Sequence, residues 1–361
     1  MMIDRSSFLF AHMSTDCVLS THLPDIRWLT GFTGSAATVV LSRKDRSVRL
    51  FVDGRYTEQA ESEIGNARMA VEVRRVSSST DLTAQIADCV GGASVAVDDR
   101  HVTHAQWSTW SGLFPIVASR SVIEEARRVK DDHELSCMSR AAEIASNALL
   151  TVVADGLCGR TERQVQRRLD ALLFDGGADD VAFPTIVATG VAGALPHHRP
   201  GDDEIRDGDL VVIDMGAMVG GYRSDMTRTV RVGHISGELE SMYETVREAQ
   251  RRASETVIAG VKGRDVDAAA RAVFDAAGVT HEFVHGTGHG VGLEIHENPI
   301  LGPACETSLL NGEVVTVEPG LYRRGVGGVR IEDLVVVTGG TCRNLSLTDK
   351  ELSCPRSARM I

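Results

Sequence analysis

Three histidines, His285, His289 and His296, lie in a glycine-rich stretch that runs from residue 285 to residue 298. Imidazole is a common metal ligand and a common proton shuttle, because its ordinary pKa lies near neutrality. The interleaved glycines remove side-chain bulk, so the backbone can come close to whatever the histidines hold. These residues alone leave two interpretations open, a metal site with three histidines and a site for proton transfer.

Carboxylates next to apolar, strand-like runs extend this chemistry. Glu318 ends the run 314–318, Glu332 lies within the run 329–337, and Asp214 ends the run 209–214. A glycine turn at 220–221 predicts a hairpin in which Asp214 and Asp225 face each other. Either aspartate alone would be interpreted as a turn or cap residue. Burying a charge without a partner is expensive, so the whole set needs a shared reason.

That reason is a metal site built from Asp214, Asp225, His289, Glu318 and Glu332. Four carboxylates and one imidazole suit divalent manganese, cobalt, iron or zinc. Four carboxylates exceed what one divalent ion needs for neutrality. The set therefore predicts two ions about 3.5–4 Å apart that share bridging carboxylates and activate a water. The absence of cysteines from the set argues against a structural zinc site.

Composition limits the classes of partner and location. The 361 residues are too many for one ordinary core and indicate two domains. A net charge of −12 argues against nucleic acid as a partner. No apolar run approaches the length of a membrane span. The seven cysteines lack pairing motifs and favour reduced thiols, so we expect a cytoplasmic protein.

Residues 1–125 alternate strand and helix patterns and predict an α/β domain without a catalytic cluster. The lone histidines His101 and His104 are interpreted as solvated surface residues. A charged segment, 124–134, marks the boundary with a second domain, 126–361, and the start of a helix that reaches Ala154. We expect one strand over 181–189 and a late hairpin with its turn at 323–328.

The second domain carries the signs of an internal duplication. A long helix, a glycine joint and a shorter helix occur first around residues 156–160 and again around residues 260–264. Both joints have the pattern Gly-x-x-Gly-Arg, and strand-rich sequence follows each copy. The domain is therefore expected to be two related α+β halves about a pseudo-twofold axis, with a site between them.

The order of the five predicted ligands resembles that of the pita-bread metallopeptidases, which include methionine aminopeptidase, aminopeptidase P and prolidase. The segments 285–293, 317–322 and 329–333, with Leu-Pro-His at 195–197, resemble the Xaa-Pro branch of that family. The segments 28–35 and 53–57 resemble the creatinase-like N-terminal domain of aminopeptidase P-type enzymes. The resemblance covers nearly the whole chain and implies a pita-bread fold for the second domain.

The resemblance also implies a role for each metal ligand. Asp225 and Glu332 match the bridging ligands, Asp214 matches the bidentate ligand of one metal, and His289 and Glu318 match ligands of the other. Two divalent ions are implied, with manganese as the leading candidate and cobalt, zinc and iron as alternatives.

Other residues match groups that handle substrate. Glu318 resembles the residue that shuttles a proton from the nucleophilic water to the leaving nitrogen. His197, His285 and His296 resemble histidines that surround the substrate and stabilise the tetrahedral intermediate, and Arg330 resembles an arginine that supports the metal-bridging region. In a second interpretation, His285 and His296 only support the metal ligands.

The implied activity is hydrolysis of the N-terminal Xaa-Pro bond by a hydroxide that bridges two metals, as in Xaa-Pro aminopeptidase. The alternative is an Xaa-Pro dipeptidase, or prolidase, which the motifs do not distinguish. Methionine aminopeptidases generally lack this N-terminal domain, and a non-catalytic peptide-binding protein would have lost ligands. The substrate is then a peptide with proline at its second position, and the resemblance implies a homodimer or homotetramer. Phe183, Ile186 and Tyr322 are candidates for the proline pocket.

Overall fold

A computed structural model describes residues 5–66 and 69–354 of the chain. The chain divides into two compact units, residues 1–127 and residues 128–361. Within the described ranges, no helix combines the length and the apolar character needed to cross a membrane. The expected combination of an α/β first part and an α+β second part is confirmed.

The first unit is a mixed sheet flanked by helices. Its strands are β1 (Cys17–Ser20), β2 (Thr38–Ser42), β3 (Ser47–Asp53), β4 (Val71–Val76), β5 (Val95–Val97) and β6 (Ile116–Ala118). Its helices are α1 (Arg5–His12), α2 (Leu23–Thr30), α3 (Thr57–Glu63), α4 (Ser79–Val90), α5 (His104–Ser111) and α6 (Val122–Arg127). The sheet order is β4-β3-β2-β1-β5-β6. Apolar residues of the strands and of α4 and α5 form its core.

Two helix pairs organise the second unit. They are α7 (Asp132–Ala154) with α8 (Glu162–Asp175), and α9 (Gly237–Thr256) with α10 (Gly263–Ala276). Capping boxes begin the first pair, since Asp131 and Thr161 each exchange hydrogen bonds with the third residue of the helix that follows. The repeated order of long helix, joint and shorter helix is the one expected from a duplication, and the duplication itself stays an inference from that order.

Each helix pair packs its apolar stripe against a different sheet. The strands before α9 are β7 (Asp180–Val181), β8 (Ile186–Thr189), β9 (Leu210–Met215), β10 (Ala217–Val219), β11 (Tyr222–Arg223) and β12 (Met226–Val232). The strands after α10 are β13 (Gly288–Gly290), β14 (Glu297–Leu301), β15 (Val314–Val317), β16 (Gly320–Arg323), β17 (Gly327–Arg330), β18 (Asp333–Val336), β19 (Arg343–Asn344) and β20 (Ser353–Cys354). The main sheets have the orders β20-β12-β9-β8 and β14-β13-β15-β18-β19, beside a small sheet β11-β10-β7 and the hairpin β16-β17. The two apolar cores lie between these sheets and their helices.

The sheets meet where β12 runs beside the end of β17. The hydroxyl of Thr229 donates to the carbonyl of Arg330 at 2.9 Å, and the amide of Glu332 donates to the carbonyl of Thr227 at 3.0 Å. Side chains from both halves of the unit therefore come together at this junction.

Three local expectations were wrong in detail. The long helix begins at Asp132, because Asp131 caps it, and residues 128–130 form an extended approach rather than its first turn. The single strand over 181–189 is two strands in different sheets, because Pro184 has no amide hydrogen to continue a ladder. The late hairpin turns within 324–326, and its arms belong to two sheets, β16-β17 and then β15-β18.

Candidate metal centre

The hairpin arms β9 and β12 position the two aspartates. Asp214 lies in β9 opposite Thr227, and Asp225 immediately precedes β12, so the aspartates are close in space without being paired directly. The backbones approach so tightly at Gly216 that a Cβ there would lie 1.9 Å from the carbonyl oxygen of Ser224. Only glycine fits this approach, which brings Asp225 back toward the end of β9.

The second half of the unit adds the other three predicted ligands. Side-chain ligand atoms of Asp225, His289 and Glu332 all lie within 4.8 Å of one another. The Nε2 atom of His289 lies 3.4 Å from Oε1 of Glu318 and 3.7 Å from Oδ2 of Asp225. The charge of Asp214 acts on Asp225, Glu318 and Glu332. The structure thus brings all five predicted ligands into one cluster.

One ring nitrogen of His289 is already committed to the backbone. Nδ1 lies 3.0 Å from the carbonyl oxygen of Gly290 and, as a donor, fixes the tautomer with the lone pair on Nε2. That lone pair faces the carboxylates, as a metal ligand requires. Burial lowers the pKa of His289 to about 4, so the ring is neutral at pH 7. The hydroxyl of Thr316 accepts a hydrogen bond from the His289 amide at 3.1 Å and lies 3.4 Å from Oε1 of Glu318.

The carboxylates have too little positive charge around them in the metal-free chain. Burial, followed by the charge of Glu332, raises the pKa of Asp225 well above its ordinary value. Burial, followed by the charge of Glu318, raises the pKa of Glu332 in the same way. Burial raises the pKa of Glu318 to about 8, against the opposing charge of Arg330. One arginine cannot neutralise four carboxylates in a desolvated site.

Divalent cations fit this donor set. Oxygen and imidazole donors suit metals of the manganese, iron, cobalt and zinc type. The Oδ1 atom of Asp214 is buried without a hydrogen-bond partner, although buried carboxylate oxygens are normally paired. A metal ion would satisfy that oxygen and would supply the charge that the cluster lacks.

Arg330 connects the cluster to its surroundings. The side chain, 4% exposed, donates to Asp214 Oδ2 at 2.7 Å, to Thr227 Oγ1 at 3.0 Å and to the Tyr322 hydroxyl at 3.0 Å. Thr227 in turn donates to Glu332 Oε2 at 2.7 Å. One guanidinium thereby orients two of the predicted ligands, one directly and the other through a threonine. Sequence reasoning missed Thr227, although strand alternation places it on the same face as Thr229 of β12.

His285 lies behind this cluster with both ring nitrogens engaged. Nδ1 is 2.7 Å from the carbonyl oxygen of Gly286, and Nε2 is 2.8 Å from the hydroxyl of Tyr322. Because that hydroxyl accepts from Arg330, it donates its own hydrogen to Nε2. Burial lowers the pKa of His285 to about 4, which agrees with a neutral, accepting ring. Tyr322, weighed from the sequence only as a pocket residue, is part of this hydrogen-bond chain.

The two remaining histidines, His197 and His296, are exposed. The ring of His296 packs edge-on against that of His289 at 4.5 Å between centroids. Burial, followed by the charge of His197, lowers the pKa of His296. The carbonyl of Pro196, next to His197, accepts from Arg330 at 3.3 Å. Both imidazoles thus lie at the open side of the cluster, where a ligand would enter.

A cluster of four carboxylates and a histidine at the junction of two α+β halves is a donor set for divalent metal ions. The sequence matches metallopeptidase family M24 over residues 136–339 and the creatinase/prolidase N-terminal domain over residues 9–129. The chain belongs to metallopeptidase family M24, in its Xaa-Pro branch, and is a peptidase. The resemblance inferred from the motifs is confirmed, and the fold is the pita-bread fold of the solved prolidase structures.

Proteins that match this chain along nearly their whole length are named as Xaa-Pro dipeptidase or as X-Pro aminopeptidase, the two activities that the motifs left open. The chain is 34% identical to a protein named uncharacterized peptidase YqhT of Bacillus subtilis strain 168, over 98% of this chain and 99% of that one. It is similar in structure to an Xaa-Pro dipeptidase from Bacillus anthracis, with a TM-score of 0.91, 33% identity and coverage of 97% and 99%. It is also similar to an X-Pro aminopeptidase from Thermotoga maritima MSB8, with a TM-score of 0.86, 32% identity and coverage of 97% and 99%.

Proposed function

We propose that the protein is an Xaa-Pro aminopeptidase, which releases an N-terminal residue that precedes proline. The observation that carries this proposal is the cluster of Asp214, Asp225, His289, Glu318 and Glu332, with His197 and His296 on its open side. Two divalent ions held by the cluster, with manganese as the leading candidate, would supply a nucleophilic water at neutral pH and stabilise developing negative charge.

The chain's own residues would perform the proton transfers and bind the peptide. Glu318 lies at the edge of the cluster with 18% of its side chain exposed, so it can contact both a buried water and an entering substrate. We assign it the transfer of a proton from that water to the proline nitrogen. This nitrogen has no hydrogen of its own in the peptide, so it must gain one to leave.

We assign two different roles to the three histidines that are not metal ligands: contact with substrate and support of neighbouring side chains. His197 and His296 are exposed, and we assign them the substrate carbonyl and the charge that develops on it. His285 has both nitrogens occupied, which favours support of Tyr322 and Arg330 over direct contact with substrate. Arg330 holds Asp214 and, through Thr227, Glu332.

An Xaa-Pro dipeptidase is the second candidate, supported by the name of the Bacillus anthracis structure. The two activities differ in whether the product side of the pocket accepts a chain beyond proline. Release of the N-terminal residue from Ala-Pro, Ala-Pro-Ala and Ala-Pro-Ala-Ala-Ala should be compared, with Ala-Ala-Ala as the control. Metal-stripped protein with manganese, cobalt or zinc added back separately would identify the effective ion.

If the protein is an aminopeptidase, it should cleave the longer proline peptides at rates comparable to that of Ala-Pro. Cleavage of Ala-Pro alone would replace the first proposal by the second, and no metal-dependent cleavage of any proline peptide would refute both. A homodimer or homotetramer is proposed for the active form, and light scattering on the metal-loaded protein tests it.

A further inference from the structure

The turn that carries His296 is closed by a buried carboxylate, that of Glu297. Gly290 pairs with Glu297 across β13 and β14, with a register shift beside His289. Oε1 of Glu297 accepts the amide of Glu294 at 3.2 Å, so the side chain closes the turn from inside. His296 precedes this residue and is itself exposed. The position of its ring therefore depends on what holds Glu297.

Lys130 holds Glu297 from a distant part of the sequence. Its Nζ atom lies 3.1 Å from Glu297 Oε2, with side-chain exposures of 1% and 4%. The same ammonium donates to the carbonyl of Arg128 at 3.1 Å, which fixes its direction. Lys130 belongs to the lead-in segment, residues 128–131, through which the chain enters the second unit. A buried ammonium that is bonded to both a carboxylate and a carbonyl has little freedom to move.

The lead-in segment is itself anchored to the sheet that bears the site. Val129 bridges to Glu313, the residue before β15, and the amide of Lys130 donates to the carbonyl of Gly312 at 2.9 Å. Nε of Arg128 donates to Oε1 of Glu313 at 2.7 Å, a second buried ion pair. The lead-in segment thus connects β15 with the turn of His296.

A second anchor reaches the same turn from the β11 side. The amide of Arg223 donates to the carbonyl of Gly292 at 2.9 Å, and its Nε donates to that of Leu293 at 3.2 Å. These contacts hold the middle of the turn, whereas Lys130 holds its end, next to His296. The two anchors leave the backbone around His296 fixed on both sides.

We propose that Lys130 is a positioning residue for His296, acting through its buried pair with Glu297. The proposal rests on the assignment of His296 to the substrate side of the site. A displacement of about 1 Å in a group that contacts the reacting atoms can cost about 100-fold in rate. Loss of the pair should therefore lower kcat/KM for Ala-Pro-Ala about tenfold or more.

The test compares two neutralised ion pairs. Lys130→Met alone leaves a buried carboxylate unpaired and risks misfolding. The double variant Lys130→Met/Glu297→Gln removes both charges and keeps similar volumes. The matched control, Arg128→Met/Glu313→Gln, neutralises the other buried pair of the lead-in segment, which does not border His296. We expect the first double variant, and not the control, to lose activity.

A coupling measurement separates positioning from general damage. In a His296→Asn background, the Lys130→Met/Glu297→Gln change should cost less than about twofold, because residues that act through one another are not additive. An equal loss in both backgrounds, or an equal loss in the control pair, overturns the proposal.

A second readout does not depend on activity. In metal-free protein labelled at histidine ring carbons, the His296 Cε1–H resonance, assigned through His296→Asn, should shift or broaden in the first double variant only. An unchanged resonance overturns the positioning role. If the native protein hydrolyses no Xaa-Pro peptide, the proposed function fails, and this resonance still decides whether Lys130 positions His296.

Discussion

Removal of the metal ions should reverse the direction in which the stability of the second unit changes with pH. In the metal-free chain, burial raises the pKa of Glu318 from 4.5 to about 8, and it raises the pKa of Asp225 and Glu332 as well. Between pH 4.5 and about pH 8, the native state therefore binds more protons than the unfolded chain. This contribution to stability is fully present below about pH 4.5 and is lost as the pH rises through about 8.

The magnitude follows from the size of the shift. Each extra proton bound by the native state makes the free energy of unfolding fall by about 1.4 kcal/mol per pH unit. The shift of Glu318 from 4.5 to about 8 corresponds to about 5 kcal/mol at most, because 18% of its side chain remains exposed. Bound divalent ions keep the carboxylates ionised and compete with protons, so metal-loaded protein should gain stability over the same range.

Urea unfolding at pH 5.5, 6.5 and 7.5, with and without a chelator, measures this difference. Circular dichroism is the suitable signal, because all three tryptophans lie in the first unit. Glu318→Gln removes one of the groups that take up a proton in the native state. The free energy of unfolding of metal-free protein should then depend on pH less steeply, by about 1.4 kcal/mol per pH unit. Asp202→Asn, at a side chain that is 77% exposed, should leave this dependence unchanged. Metal-free protein that becomes more stable from pH 5.5 to 7.5 would refute this account.

Three substitutions test other parts of the arrangement. Tyr322→Phe removes a hydroxyl shared by a buried arginine and a histidine and leaves both without that partner, so kcat/KM should fall about tenfold or more and urea unfolding should show a loss of about 1–3 kcal/mol. Arg228→Met removes a fully buried cation that pairs with a buried carboxylate, so the free energy of unfolding in urea should fall by about 3–5 kcal/mol. The control Arg251→Met, at an exposed side chain, should lower it by less than about 1 kcal/mol. Gly216→Ala should lower both stability and metal affinity in calorimetric titration, because its Cβ would clash with backbone, whereas Gly237→Ala, with open space around it, should do neither.

Much of the scaffold could be predicted from local patterns, because local patterns determine it. The hairpin predicted at 220–221 forms, with both glycines at positive φ, 60° and 84°. The errors arose where a single residue overrides a pattern. Pro184 divides an apolar run into two strands, and Asp131 caps the long helix at a later residue than the charged segment predicts.

The lead-in segment shows why the remainder could not be predicted. Its charges indicated only a domain boundary and a helix start, yet Arg128 and Lys130 are buried. Their partners Glu313 and Glu297 lie 185 and 167 residues further along the chain. Local composition is the same for a charge in water and for a charge paired in the interior, since the difference lies in a distant residue. Only the fold decides between these cases.

The three histidines of the stretch 285–298 differ in the atoms that contact each ring, which the local sequence does not show. His285 has a carbonyl on one nitrogen and a tyrosine hydroxyl on the other, so no lone pair is left for a metal or a substrate. In His289, Nδ1 is hydrogen-bonded to a carbonyl and Nε2 faces carboxylates, which is the arrangement that a metal ligand needs. His296 leaves its ring exposed at the open side. The short strand 288–290 produces this division, because it aims one imidazole into the cluster while the chain on either side turns away.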